Sequence, residues 1–243
     1  MNIKKLEEGI KESSFSMHED YIKSLIKPSI EIIKIKSEIK IASSKLGGIP
    51  DVPIEFKWPK HEYGDYRFVA QFNLTELSEP IPNFPQHGLL SIFIADDEDT
   101  NYFWGDDGYA KVFFFESENE LKPFSNSNFP NPLSTAIKLE TTVDIPSREE
   151  LLENNPLDEE QTEDLIYDVM ENVDKNLNYL LGYPYYSTLA YDPRPSKDWT
   201  SLLTLSSDSA LNWCWHDGDF LMLFIEKEKL KQKDFSNIKS DAG

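Results

Sequence analysis

A chain of 243 residues, 39% hydrophobic and 13% aromatic, is long enough to bury a core without a disulfide or metal staple. Its formal charge of -20 repels phosphate, which argues against nucleic acid and anionic membranes and leaves basic proteins, cations or plain solubility. Cys214 is the only cysteine, no signal peptide is evident, and no apolar run approaches the roughly 18 residues of a membrane span, so a cytoplasmic protein is expected.

Residues 2–27 carry Ile3, Leu6 and Ile10, then Met17, Tyr21, Ile22, Leu25 and Ile26, at helical spacing. An N-terminal helical segment over 1–28 is expected, ended by Pro28. Ile30–Lys36 alternates with period two and reads as a strand, with Ile39 and Ile41 continuing the pattern. A Gly/Pro turn region follows, from Leu46-Gly47-Gly48 to Pro53, leading to Trp58-Pro59. Tyr66–Leu77 alternates as a strand, and Gly88–Ala95 reads as an apolar strand covered on both faces. Residues 117–146 are Ser/Asn/Pro-rich with short strand-like stretches such as Ile137-Lys138-Leu139.

Ser147 and Glu150 have capping-box spacing and predict a short helix there. Asp158–Leu181 reads as the clearest helix. Its apolar stripe is Leu165, Ile166, Val169, Met170, Val173, Leu177 and Leu180, its opposite face is acidic, and Gly182 caps it. Trp199–Ser206 and Phe220–Ile225 read as strands, and Lys227–Gly243 as a polar tail with a short turn near Asp234. The connections are too short for crossover helices, so the expected fold is α+β with a largely antiparallel sheet.

Trp104-Gly105-Asp106-Asp107-Gly108 and Trp215-His216-Asp217-Gly218-Asp219 each lead into an apolar strand. Together with Leu46-Gly47-Gly48-Ile49-Pro50 and Leu181-Gly182-Tyr183-Pro184, they suggest a decayed internal duplication, with sub-repeats 44–115 and 178–235. Facing one another, Asp106 and Asp107 with Asp217 and Asp219 would give paired carboxylates, and Trp104 and Trp215 could stack on sugar rings, the ingredients of a glycoside hydrolase. The plainer reading is that these Asp residues shape tight turns and the two Trp side chains plug the core.

Asp97-Glu98-Asp99-Thr100-Asn101 opens like a calcium loop, but Tyr102 and Gly108 stand where the required Gly and Glu should be. Only a weak calcium site would remain. His18, His61, His87 and His216 show no metal-ligand spacing, and no phosphate-binding or nucleophile-elbow motif occurs. No metal or cofactor is expected. A Cys214–His216 nucleophile pair would need a turn to join them.

Leu46-Gly47-Gly48 with Pro50, Pro53 and Trp58-Pro59, then Ala70-Gln71-Phe72-Asn73-Leu74, Gly88–Phe93, Leu181–Pro184, Trp215 with Asp217, and Asp234-Phe235-Ser236 resemble the YwqG-like family, a bacterial domain of unknown function. The resemblance covers most of residues 30–238 and implies a single compact α+β domain over 29–238. It departs from the family pattern at Thr188-Leu189 and at His216. No activity carries over with it. Trp58 and Gln71, inside the shared motifs, join Trp104, Asp106, Asp107, Trp215 and Asp217 as candidate ligand-binding residues. A non-catalytic protein- or ligand-binding module is expected, its acidic surface suited to a basic protein partner. A carbohydrate-directed hydrolase and a weak calcium binder are the alternatives.

Overall fold

The computed structural model of the protein describes residues 16–97, 101–125, 133–170 and 176–243. Among these, ten strands form one antiparallel sheet. In chain order they are β1 (Lys27–Lys34), β2 (Lys45–Gly47), β4 (Tyr66–Asn73), β5 (Leu89–Ala95), β6 (Ala110–Phe115), β8 (Ser134–Asp144), β9 (Tyr179–Leu181), β10 (Trp199–Ser206), β11 (Phe220–Glu226) and β12 (Ile238–Ala242). A small second sheet pairs β3 (Asp51–Val52) with β7 (Lys122–Pro123). The large sheet runs β12-β11-β10-β9-β1-β8-β2-β4-β5-β6, and its outer strands β12 and β6 come back into contact. There Ser240 Oγ donates to the Trp104 carbonyl and Lys239 pairs with Asp107. Curling the sheet into a nearly closed barrel shelters both edges, which would otherwise present unpaired backbone groups.

The sheet is symmetric about the β1/β8 pair, which is in register from Lys27↔Asp144 to Lys34↔Ile137. Five strands on one side answer five on the other: β1 to β8, β9 to β2, β10 to β4, β11 to β5 and β12 to β6. The correspondence holds residue by residue. β4 and β10 share one burial pattern along their lengths, and each carries a bulge after its third residue, at Phe68/Ala70 and Ser201/Leu203. The Asn73 amide donates to Ser44 Oγ at 2.8 Å, and the equivalent Ser206 amide donates to Asn178 Oδ1 at 2.9 Å. Asp96 N–H bonds the Asp65 carbonyl, and Lys227 N–H bonds the Asp198 carbonyl.

β2 and β9 both end in two left-handed residues, Gly47-Gly48 (φ 66° and 80°) and Leu181-Gly182 (φ 63° and 70°). Such backbone favours glycine. At Gly182 a Cβ would also stand 2.5 Å from Asp144 Oδ2, and Asp144 accepts the Tyr183 N–H at 2.7 Å.

The Trp–Asp–Gly turns do not occupy equivalent places in this arrangement. The first precedes β6 and the second precedes β11, whose counterpart is β5. The likeness between the two turns comes from local turn chemistry, in which Asp side chains satisfy nearby amides.

Among the described residues the helices are few and short: α1 (Glu19–Ser24), α2 (Glu159–Asp164) and α3 (Lys227–Lys231). No helix among the described residues is long and apolar enough to cross a membrane. Most of the expected N-terminal helix lies outside the described residues. α1 packs its buried Ile22 with Leu25, Ile145, Leu157 and Leu165. The expected helix Asp158–Leu181 is shorter. α2 passes into a π-helical turn, Leu165–Met170, and Tyr179–Leu181 is strand. Helical periodicity continued through Leu177 and Leu180, but pairing of Leu180 with Ile30 and Leu203 decides the outcome. The capping box sits at Asp158 and Gln161. At Ser147–Glu150, a 3-10 turn (Glu149–Leu151) instead starts from Arg148 without a side-chain cap. The polar tail contains α3 and β12, and β8 is an eleven-residue strand where only fragments were expected.

One half-buried cation at the start of β1 gives a pH-dependent prediction. Burial, opposed in part by Glu153 and reinforced by Arg194, pulls Lys27 from its usual 10.5 down to about 8, and its ammonium stands 4.0 Å from the Tyr183 ring centroid. Between those two values the unfolded chain holds a proton that the folded chain has released. Stability from this group therefore rises with pH through that window, and below it the charged form is a constant penalty. Lys27→Met is expected to gain about 1 kcal/mol at pH 7, a figure reduced for partial solvent access. That gain should vanish above the window in urea titrations run at several pH values; a gain that persists at high pH would assign the effect to packing instead.

Candidate functional site

A cavity of about 320 Å³ opens where β2 ends, β4 begins and β5 passes into Asp96. Its floor is backbone: Gly47 and Gly48 turn away from β2 in left-handed conformation, and the Gly48 N–H holds the Leu133 carbonyl at 2.9 Å. A Cβ at Gly47 would stand 2.3 Å from the Leu133 carbonyl oxygen and one at Gly48 2.9 Å from Ser134 Cβ, so glycine is what lets the 133–134 segment close against this turn. The β3–β7 pair sets the next wall, because Phe124 N–H bonds the Pro50 carbonyl at 2.9 Å and brings the Phe124 ring in. Trp58 lies against it at 4.8 Å between ring centroids and edge-on to Phe93 at 5.4 Å. The Trp58 indole N–H donates to the Tyr66 carbonyl at 2.6 Å, which fixes the ring at the mouth of β4.

The opposite wall comes from the other half of the barrel. Asp208 pairs with Lys34, and its carboxylate accepts the Ala210 N–H at 3.0 Å, starting the 3-10 turn Ser209–Leu211. Asn212 then takes a left-handed conformation (φ 55°), and Trp213 returns to bond Asp208. Leu211, Asn212 and Trp213 thereby face the glycine floor. The Tyr66 hydroxyl donates to the Gly108 carbonyl, and burial, with Tyr102 nearby, pushes it up to about 12, so it stays protonated.

Arg67 brings the charge. Its guanidinium carbon stands 5.6 Å from the centroid of the buried Trp215 ring, a cation–π distance. Its Nε is buried and meets no hydrogen-bond acceptor among the described residues, and the same holds for Trp215 Nε1. Of the two carboxylates at the rim, Asp65 pairs with Lys60 at 2.9 Å, and Asp96 is exposed.

The candidate residues divide. Trp58 lines the cavity. Gln71 is fully buried and spends its amide internally: Nε2 donates to the Ser43 carbonyl and Asp51 Oδ2, and Oε1 accepts the Asp51 N–H. Trp215 is a core residue, 4% exposed and tilted on Trp213 at 5.5 Å. Trp104 is half-buried, and its ring meets His216 edge-on at 5.5 Å, so the two turns do lie against each other.

Their carboxylates, however, are taken up separately or left in solvent. Asp106 accepts the Phe103 N–H at 2.8 Å, Asp107 pairs with Lys239, and Asp217 has a 94% exposed side chain. Asp219 is taken up by Ser187 at 3.0 Å and by His216 at 3.3 Å. Cys214 is exposed and reaches only the His216 backbone carbonyl, at 3.6 Å, so the two side chains form no nucleophile pair. Of the calcium-like run, residues 98–100 lie outside the described residues. Among the described residues no three His, Cys, Asp or Glu side chains gather as a metal site would require.

Sequence reasoning missed Arg67, Asn212 and Trp213. Arg67 reads as the outward member of an alternating strand, and the only available signal was a lone cation between Tyr66 and Phe68. The 208–213 turn is joined to the glycine floor by the barrel, not by proximity in sequence.

No curated protein matches the chain. A family model does, over residues 44–241, so that β1, at the centre of the sheet, lies outside the matched span: the chain belongs to the family described as Domain of unknown function (DUF1963).

Proposed function

We propose that the protein is a non-catalytic binding module whose ligand site is the cavity between Gly47-Gly48, Trp58 and Trp213. The carrying observation is the cavity itself. At about 320 Å³ it has the size of a small-molecule site, it is walled mainly by aromatic and aliphatic groups, and polar groups are few. The two halves of the barrel also make it together, as sites at such junctions commonly are. The residue correspondence between β2–β6 and β9–β12 supports descent of both halves from one duplicated unit, within a YwqG-like fold. An exposed, unpaired Cys214 suits a reducing, cytoplasmic setting.

The test uses N-phenyl-1-naphthylamine, a neutral aromatic probe whose fluorescence rises in apolar sites. Saturable binding at one site per chain is expected, weakened at least about tenfold in Trp58→Ala, because a wall residue supplies much of the contact area. Binding that is unsaturable, or indifferent to Trp58→Ala, would remove the cavity as the site.

A further inference from the structure

We infer that the cavity selects a ligand carrying an oxyanion on an apolar, flat body, and that Arg67 is the residue that reads the anion. This rests on the cavity being the ligand site. Arg67 lines the cavity, its Nε–H is buried without an acceptor among the described residues, and its guanidinium carbon is 5.6 Å from the ring of Trp215, a core residue behind it. A buried donor left unpaired is costly, and a guanidinium more so, so a cavity that keeps such a donor in its wall is matched to an acceptor-rich group. The cation–π contact holds the guanidinium in place and provides no oxygen acceptor for its N–H groups. Arginine is suited to the task because its planar fork matches carboxylate, sulfonate and phosphate oxygens.

The surroundings favour an incoming anion at this one point despite the chain's charge of -20. Lys60 already neutralises Asp65, and Asp96 stands exposed at the rim, where solvent screens it. The remaining lining, Trp58, Phe68, Phe124, Leu211 and Trp213, offers flat apolar walls for the body of the ligand.

The test compares 8-anilinonaphthalene-1-sulfonate with N-phenyl-1-naphthylamine, which has the same rings without the sulfonate. In the unmodified protein the sulfonate is expected to bind at least about tenfold more tightly. In Arg67→Met the ratio of the two affinities should fall to about one, whatever the substitution does to the neutral probe itself; Arg67→Gln serves the same comparison if the methionine variant does not fold. Equal affinity for the two probes in the unmodified protein, or a preference that survives both substitutions, would overturn the inference and leave the cavity reading intact. Failure of the neutral probe to bind at all would overturn both.

Discussion

Asp51→Ala is expected to lower the free energy of unfolding by about 3–5 kcal/mol, and adding Lys45→Met to return roughly half of that loss. The Lys45 and Asp51 side chains are 7% and 1% exposed and meet at 2.8 Å. Asp51 Oδ2 also accepts from Gln71 Nε2 at 2.6 Å and from the Ala42 N–H at 3.1 Å. Removing the carboxylate strands a buried ammonium and two further donors at once. Lys45→Met removes the stranded charge and keeps the volume, but leaves the Ala42 and Gln71 donors unpaired, so recovery should be partial. Urea denaturation checks this through the midpoint at unchanged slope. A loss below about 1 kcal/mol for Asp51→Ala would mean that water reaches Lys45 and that the network is not dry. The same network ties β2, β3 and β4 together around the 47–50 turn, so Asp51→Ala should also loosen the glycine floor of the cavity and weaken N-phenyl-1-naphthylamine.

The strands easiest to read from sequence are those in the middle of each half. β5 is buried at all seven positions and β11 at five of seven, and a strand covered on both faces shows as an unbroken apolar run. β8 was read only in fragments, and β12 not at all, for the opposite reason. Ser134–Asp144 and Ile238–Ala242 alternate apolar residues with Ser, Thr, Lys and Asp, and their strand state is fixed by partners far along the chain. β9 is three residues long and follows a helical stripe, so local periodicity pointed the wrong way and the pairing with β1 and β10 prevailed.

The correspondence between the two halves was visible through its glycines, because left-handed backbone at Gly48 and Gly182 is written directly in residue type. Its alignment through the Trp–Asp–Gly turns was misleading, since tight turns reuse Asp and Gly wherever a chain reverses. The candidate site divides along the same lines. Trp58 could be selected because it lies in a shared motif. Arg67 could not be, because an outward charged residue in a strand is the ordinary case, and only the crossing of the 208–213 turn over β2 encloses it.

Phe93→Ala and Phe224→Ala should be equally damaging to stability, at about 3–5 kcal/mol each, yet only the first should damage the ligand site. The two residues are counterparts in β5 and β11, and both are fully buried. Phe93 contacts Phe68, Phe113, Phe56 and Trp58, with ring centroids 5.4 Å away for Phe68, Phe113 and Trp58 and 6.0 Å for Phe56. Phe224 packs with Trp199 and Met222, with Leu189 against them, and none of these lines the cavity. Either truncation leaves a void the size of a phenyl ring in a well-packed region, and the energetic loss follows from that void whatever the surroundings do chemically. Trp58, however, is held at the cavity by ring contacts with Phe93 and Phe124 and by its hydrogen bond to the Tyr66 carbonyl. Losing the Phe93 contact removes the edge that backs the indole, and a less firmly held wall residue contributes less to binding. At temperatures where both variants remain folded, Phe93→Ala should therefore weaken N-phenyl-1-naphthylamine several-fold while Phe224→Ala leaves it within about twofold. Equal weakening by the two would show that binding follows global stability rather than the Trp58 wall, and the site would have to be sought elsewhere on the barrel.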